Sequence, residues 1–226
     1  MILWNNVNLR TKGIIVANSP TISKGKKRVK KYDVEGKNGV LIVDKGTYEP
    51  FVCSLECHFD TDNFTIDSIK EFLDGYGTLS FDGEREYEAF IQNQIDFEKV
   101  QNFRSFVIQF LCNPIASDIN ATTTTISSNP TELNISATYN MYPTIELKGT
   151  GDVAITINNR TFYLYDLDAD LTYTLDCNAK VIYNSNGINC SNQMQNDFPY
   201  LQKGLNTIGY TGTLTKFDIS YKKAYL

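Results

Sequence analysis

Cys53, Cys57 and His58 bring two thiols and an imidazole within six residues, the side-chain types from which metal sites and general bases are built. Their surroundings read as a strand with one buried face, because Phe51, Cys53, Leu55, Cys57 and Phe59 share one parity while Ser54, Glu56 and His58 share the other. At about 3.3 Å per residue the two sulfurs lie roughly 13 Å apart, and His58 points to the opposite face. His58 is also the single histidine of the chain, so no second imidazole shares acid–base work with it. Buried apolar thiols are expected here, and no catalytic residue, metal ligand or cofactor is assigned.

Asp166, Asp168 and Asp170 alternate like the start of a calcium loop, but Leu171 stands where such a loop needs glycine and Cys177 where it needs glutamate. An exposed acidic strand edge is the expectation. Asp82, Glu84, Glu86 and Glu88 surround an Asp-Gly turn signal and read as a solvated hairpin tip. Gly75-x-Gly77 and Gly149-x-Gly151 fall between short strands as turns, without the strand–loop–helix setting that cradles phosphate. Glycoside hydrolysis would need two acids across a cleft, and the second half offers only scattered ones such as Glu146, Asp152 and Asp176.

The strongest charge feature is different. Six of the eight residues from Lys24 to Lys31 are Lys or Arg, and the run leads into Tyr32, Val34 and a turn bracketed by Gly36 and Gly39. It fits a nucleic-acid patch or a charged strand flanking an assembly surface. The net charge of −5 opposes a dedicated nucleic-acid binder, so the run needs a local explanation. Its second part is expected to be a strand with one charged face.

The elements around these residues are mostly strands. With 226 residues, 42% of them hydrophobic, the chain is long enough for one large or two ordinary domains with real cores. No stretch of about 18 apolar residues is present, and Met1–Trp4 is too short for a signal peptide, so synthesis and folding in a cytoplasm are expected. Five scattered cysteines, an odd number, are expected to be free.

Ile66, Ile69, Phe72 and Leu73 fall on one helical face, with Asp67 in the first turn and Gly75 suited to the C-terminal cap. Short strands are expected around Thr78–Phe81, Tyr87–Gln94 and Phe103–Leu111. From Asn113 to Pro130 the composition shifts to Asn, Ser, Thr and Pro, which reads as a linker or long surface loop. Beyond it, period-2 alternation recurs around Ile145, Val153, Leu171 and Phe217, with turns expected at Gly149–Asp152 and Asn158–Asn159. The organisation is therefore 1–112, a linker at 113–130, and an antiparallel sandwich at 131–226, mainly β with one short helix.

Several segments together carry a family resemblance. Trp4-Asn5-Asn6-Val7-Asn8-Leu9, the basic stretch, Tyr32–Gly39, Gly46-Thr47-Tyr48-Glu49-Pro50, Ile69–Phe81 and Phe106–Phe110 resemble, in order and spacing, the distal tail (Dit) proteins of tailed phages. In the second half Pro143–Leu147, Gly149, Gly151, Asn158-Asn159, Phe198-Pro199-x-Leu201 and Gly204-x-Asn206 resemble the galectin-like, carbohydrate-module-like sandwich of that family.

The resemblance implies a structural virion protein with no enzyme activity, sited in the tail tip or baseplate and made in the bacterial host cytoplasm. Its N-terminal domains would form a ring, typically a hexamer, around a central channel. Its partners would be further copies, the tail tube protein, a tail-tip or tail-associated lysin protein, and in some members receptor-binding proteins. DNA would meet it only in passing, and no membrane is involved. No long inserted arm is read from the sequence, so a simple tip is expected. Lys26, Lys27, Arg28, Lys30 and Lys31 would serve the ring, at the subunit interface facing the acidic Asp82–Glu88 hairpin of a neighbour or lining the channel. From another class comes a carbohydrate-binding module contacting host cell-wall glycan, with Tyr163, Tyr165, Tyr173 or Tyr183 as stacking platforms.

Overall fold

The computed structural model describes residues 1–18, 20–100 and 103–226. Two compact units emerge, Met1–Ser117 and Asp118–Tyr225, each built on its own antiparallel sheet.

In the first unit the strand order is Val7–Asn8, Leu3–Trp4, Tyr76–Ser80, Arg85–Ile91, Phe103–Asp118, Phe51–Asp60, Ile15–Val16. The alternation seen in the sequence sets the register of its centre. Phe51, Cys53, Leu55 and Cys57 lie opposite Cys112, Phe110, Ile108 and Phe106, and all eight are buried. Cross-strand partners share a face, so these pairs form one continuous apolar layer. Trp4 closes it, fully buried with its ring centroid 5.0 Å from that of Phe110.

The helix spans Ile66–Phe72. Thr65 caps it by accepting a hydrogen bond from the Ser68 N–H at 3.2 Å, and Asp67 occupies the first turn where the helix dipole favours an anion. Ile69 and Leu73 are buried, so the helix adds its apolar stripe to the same core. The cap at its C-terminal end is Leu73, and Gly75, with φ of 65°, supplies the left-handed residue just beyond.

Two long strands, Thr144–Ile157 and Gly204–Tyr221, form the spine of the second unit. Thr144–Lys148 pairs with Thr172–Asp176, whereas Gly151–Ile157 pairs with Arg160–Leu167. Each half of the strand thus has a different neighbour, which curls the antiparallel sheet into a sandwich.

Gly149–Asp152, expected to turn the chain, instead lies within the continuous strand Thr144–Ile157. Register shifts against Gly204–Tyr221 occur at Lys148/Gly149 and Thr150/Ala154. A β-carbon on Gly149 would lie 2.4 Å from the Thr213 carbonyl oxygen, and one on Gly212 would lie 2.4 Å from that of Asp152. These two glycines permit a close approach of bulged backbones, a role that resembles a turn signal in sequence. The opposite strand changes its buried parity across the bulge, from Asn206 and Ile208 to Phe217, Ile219 and Tyr221.

The stretch read as linker is also largely ordered in strands. Phe103–Asp118 extends well past Asn113, and Thr122–Thr125 pairs with Asp218–Tyr221. Thr125 Oγ1 donates to Asp218 Oδ1 at 2.6 Å, and the hydroxyls of Thr123 and Ser220 lie 2.7 Å apart. β-Branched threonine suits a pleated surface, and a polar composition alone hides that preference.

Asn206 is a buried polar centre in this unit. Its Nδ2 donates to the carbonyls of Gln202 (2.8 Å) and Gly204 (3.1 Å), while its Oδ1 accepts from the Gln202 N–H (2.8 Å) and Asn158 Nδ2 (3.1 Å). Asn158, at φ of 56°, makes the tight turn expected at Asn158–Asn159.

Candidate functional site

The basic run folds into a hairpin that stands outside both larger sheets. Lys27–Asp33 and Val40–Tyr48 pair with each other in a sheet of only two strands. Its turn is closed by the Lys37 N–H donating to the Val34 carbonyl at 3.1 Å, with Gly36 and Gly39 at positive φ. Its base is fixed at Gly25, which is buried against Pro114, and by the Glu49 N–H donating to the Lys26 carbonyl at 2.7 Å. A β-carbon on Gly25 would fall 2.3 Å from Pro114 Cβ, so glycine is what lets the chain pass this close to Pro114 on its way into the hairpin.

Both faces of the hairpin mix cations with apolar groups. Consecutive strand residues point to opposite sides, so Arg28, Lys30 and Tyr32 share a face with Val43 and Leu41, while Val29, Lys31 and Asp33 share the other with Asp44, Ile42 and Val40. A single charged face was expected; adjacent lysines such as Lys30 and Lys31 make that impossible in a strand. Four successive apolar residues, Val40, Leu41, Ile42 and Val43, are 45%, 46%, 57% and 46% exposed. That run is the feature sequence reading passed over, although four unbroken apolar residues between glycine and aspartate carried the signal.

Local electrostatics stiffen the base. Lys27 Nζ donates to Asp44 Oδ2, and this bond raises the lysine pKa and lowers that of the aspartate, which also accepts from the Gly46 N–H at 2.9 Å. Lys26 lies 4.0 Å from Glu49 in an exposed pair worth little. Lys30 Nζ sits 4.7 Å from the centroid of the Tyr32 ring, a cation–π contact between neighbours on one face.

The acidic hairpin is solvated as expected at Asp82, Glu84 and Glu88, which are exposed, and departs from that expectation at Glu86. Glu86 is buried, and Glu88 accepts from Asn113 Nδ2 at 2.7 Å. Asp82 holds its turn by accepting from the Glu84 and Arg85 N–H groups at 2.8 and 2.9 Å; burial raises its pKa, but these bonds outweigh it and the net shift is downward. These groups serve the subunit's own fold, which reduces what they offer to a neighbour's lysines.

Cys53 and Cys57 are buried on the inner face, as their parity requires, and burial pushes the Cys57 thiol up to about 12. His58 lies across the strand from them, its ring edge-on to Phe103 with centroids 5.8 Å apart. All five cysteines are free and buried. Among the described residues, no group of three or more His, Cys, Asp or Glu is placed to hold a metal ion, and no helix is long and apolar enough to cross a membrane. Asp166, Asp168 and Asp170 are exposed. Tyr163, Tyr165 and Tyr183 are open to solvent, but Tyr173 is a core residue whose hydroxyl accepts the Asp168 N–H at 3.0 Å.

No protein-family model matches this sequence, and no curated protein matches it. Among solved structures, the fold is similar to the crystal structure of the SPP1 Dit (gp 19.1) protein, described as a paradigm of the hub adsorption apparatus in phages infecting Gram-positive bacteria. The TM-score is 0.78 at 14% sequence identity, over 100% of this chain and 98% of that one. The two chains share one fold along their whole length.

Proposed function

We propose that this chain is a distal tail protein, a structural hub that closes into a ring between the tail tube and the tail tip of a phage. Support comes from the full-length fold likeness, joined to the sequence segments that resemble that family. The chain would act without catalysis, within the virion, after synthesis in the host cytoplasm. Six copies would surround a channel, with the tube protein above and a tip or lysin-bearing protein below.

The observation that carries the ring reading is the Lys27–Tyr48 hairpin. An isolated two-stranded hairpin is at best marginally stable in water, and this one exposes apolar side chains on both faces. Its seven-residue first strand gives it a reach of roughly 24 Å at ~3.4 Å per residue, enough to lie across a neighbouring subunit. A second copy is the occupant proposed, because a closed ring supplies the same complementary surface to every arm. Cations on any part of the hairpin that a neighbour leaves uncovered would border the channel that DNA traverses.

Electron microscopy and mass photometry of the purified chain, alone and beside its tube and tip proteins, test this reading. Closed rings are expected in at least one of these mixtures, since partners can drive closure by mass action. A chain that stays monomeric in all of them would overturn it. Reversing Lys30 and Lys31 to glutamate one at a time separates the two roles, since they lie on opposite faces: rings disappear for a lysine that faces a neighbour and persist for one that lines the channel.

A further inference from the structure

We infer that the outer face of the strand Arg160–Leu167, with the segment Met194–Tyr200 beside it, is a binding surface for a neutral oligosaccharide. The inference concerns the second unit alone and does not depend on ring formation.

Phe162 and Leu164 point into the core, so Thr161, Tyr163 and Tyr165 project from the opposite face. The rings of Tyr163 and Tyr165 are nearly parallel, 9° apart, with centroids 6.3 Å from each other. They are 38% and 37% exposed, an arrangement that presents aromatic surface to solvent. The Tyr165 hydroxyl donates to Gln195 Oε1 at 2.6 Å, which holds that ring in place before any ligand arrives. Tyr163 lies opposite Gln195 in the paired strands.

Next to these rings is an open cleft of about 560 Å³ lined by Arg160, Thr161, Asn196, Asp197 and Phe198. Thr161 is two residues from Tyr163, about 7 Å along the same strand face, so cleft and rings form one surface. Two of the lining side chains are preset. The Arg160 guanidinium sits 4.3 Å from the centroid of Tyr200, which covers one of its flat sides, and Asn196 Nδ2 donates to the Thr161 carbonyl at 2.9 Å.

The ligand class follows from this composition. A sugar ring has C–H faces that pack on aromatic rings and hydroxyls that both donate and accept hydrogen bonds. Arg160 supplies donors, Asp197 acceptors and Asn196 both kinds, while the Thr161 hydroxyl, 2.8 Å from that of Thr156, keeps part of its capacity, beside the Tyr163 and Tyr165 rings. An anion would meet the Asp197 carboxylate, and an apolar ligand would strand four polar side chains of the five that line the cleft. Nucleic acid would find one cation offset by one acid.

The full chain should be screened on an array of neutral mono- to hexasaccharides, including N-acetylated ones, and the best member titrated by tyrosine fluorescence. Binding should weaken about tenfold in Tyr163→Ala, the loss of one packed aromatic face, and comparably in Arg160→Ala. Tyr76→Ala, an exposed tyrosine on the strand Tyr76–Ser80 of the first unit, should leave binding within about twofold as the control. Thermal midpoints establish that the variants are folded, and Asp197→Ala serves as a further probe should Tyr163→Ala unfold. Ring formation, read separately, should be unchanged in all of them. No binding to any array member at millimolar concentration, or binding that survives these replacements, overturns the inference.

Discussion

Replacing Leu41 and Ile42 together by asparagine removes an apolar group from each face of the hairpin while adding no charge beside its lysines. About half of each side chain is still open to water in the single chain, at 46% and 57% exposure. Covering the rest against a neighbour would contribute about 1 kcal/mol per residue, taking half of the ~1.5–3 kcal/mol for full burial. Asparagine forfeits that and adds about 1 kcal/mol per residue for an amide desolvated without a partner. The sum is about 4 kcal/mol per contact, close to a thousandfold in association. The stability of the isolated chain should shift by less than ~1 kcal/mol, because these positions support no core. Mass photometry across a concentration series reads the first quantity and urea denaturation the second. Rings that persist at wild-type concentrations would refute the hairpin's role, as would a chain destabilised as much as its assembly.

Three further outcomes follow from the subunit itself. Asn206→Leu leaves the Gln202 N–H and the Gln202 and Gly204 carbonyls without their partner, and should lower unfolding stability by about 3 kcal/mol in chemical denaturation. Asp82 has a folded pKa below its ordinary 3.8, so its turn contributes stability above that value and loses it as pH falls through the lowered one; Asp82→Ala should flatten the acid limb of a stability–pH curve below pH 3.8. Thiol reagents at pH 8 should leave Cys57, Cys112 and Cys177 untouched in the folded chain, since burial pushes each up to about 12, and should modify them once urea unfolds it.

Strand periodicity was the most legible layer of this sequence. Phe51–Phe59 pairs and buries as its alternation requires, and Ile66–Phe72 forms the helix its spacing predicts, because both signals come from one uninterrupted apolar face. Where a residue type has two physical uses, reading failed. Glycine at 149 permits close backbone approach, a use that in sequence looks the same as a turn. Threonine at 122–125 is both polar and β-branched, and the second property prevails once Gly204–Tyr221 offers it a partner. Tyr173 fits a sugar platform by type, yet its parity with Leu175 places it in the core. The candidate surfaces were harder still. The cations of Lys24–Lys31 were visible, but their distribution over both faces depends on pairing with Val40–Tyr48, and the Arg160 cleft unites residues separated by more than thirty positions.

The interleaving of lysine and apolar residues on the Lys27–Tyr48 hairpin has a consequence for the life of the subunit before assembly. A bare Val-Leu-Ile-Val strand is the kind of segment that nucleates aggregates by adding to other strands. Here Lys30 and Lys31 stand directly across from Val43 and Ile42, as gatekeepers whose mutual repulsion keeps two arms from zipping face to face. In the proposed ring the same repulsion would select against arm-on-arm pairing and leave attachment to a differently charged body as the productive outcome, so that the charge pattern would act as a proofreading device for assembly order.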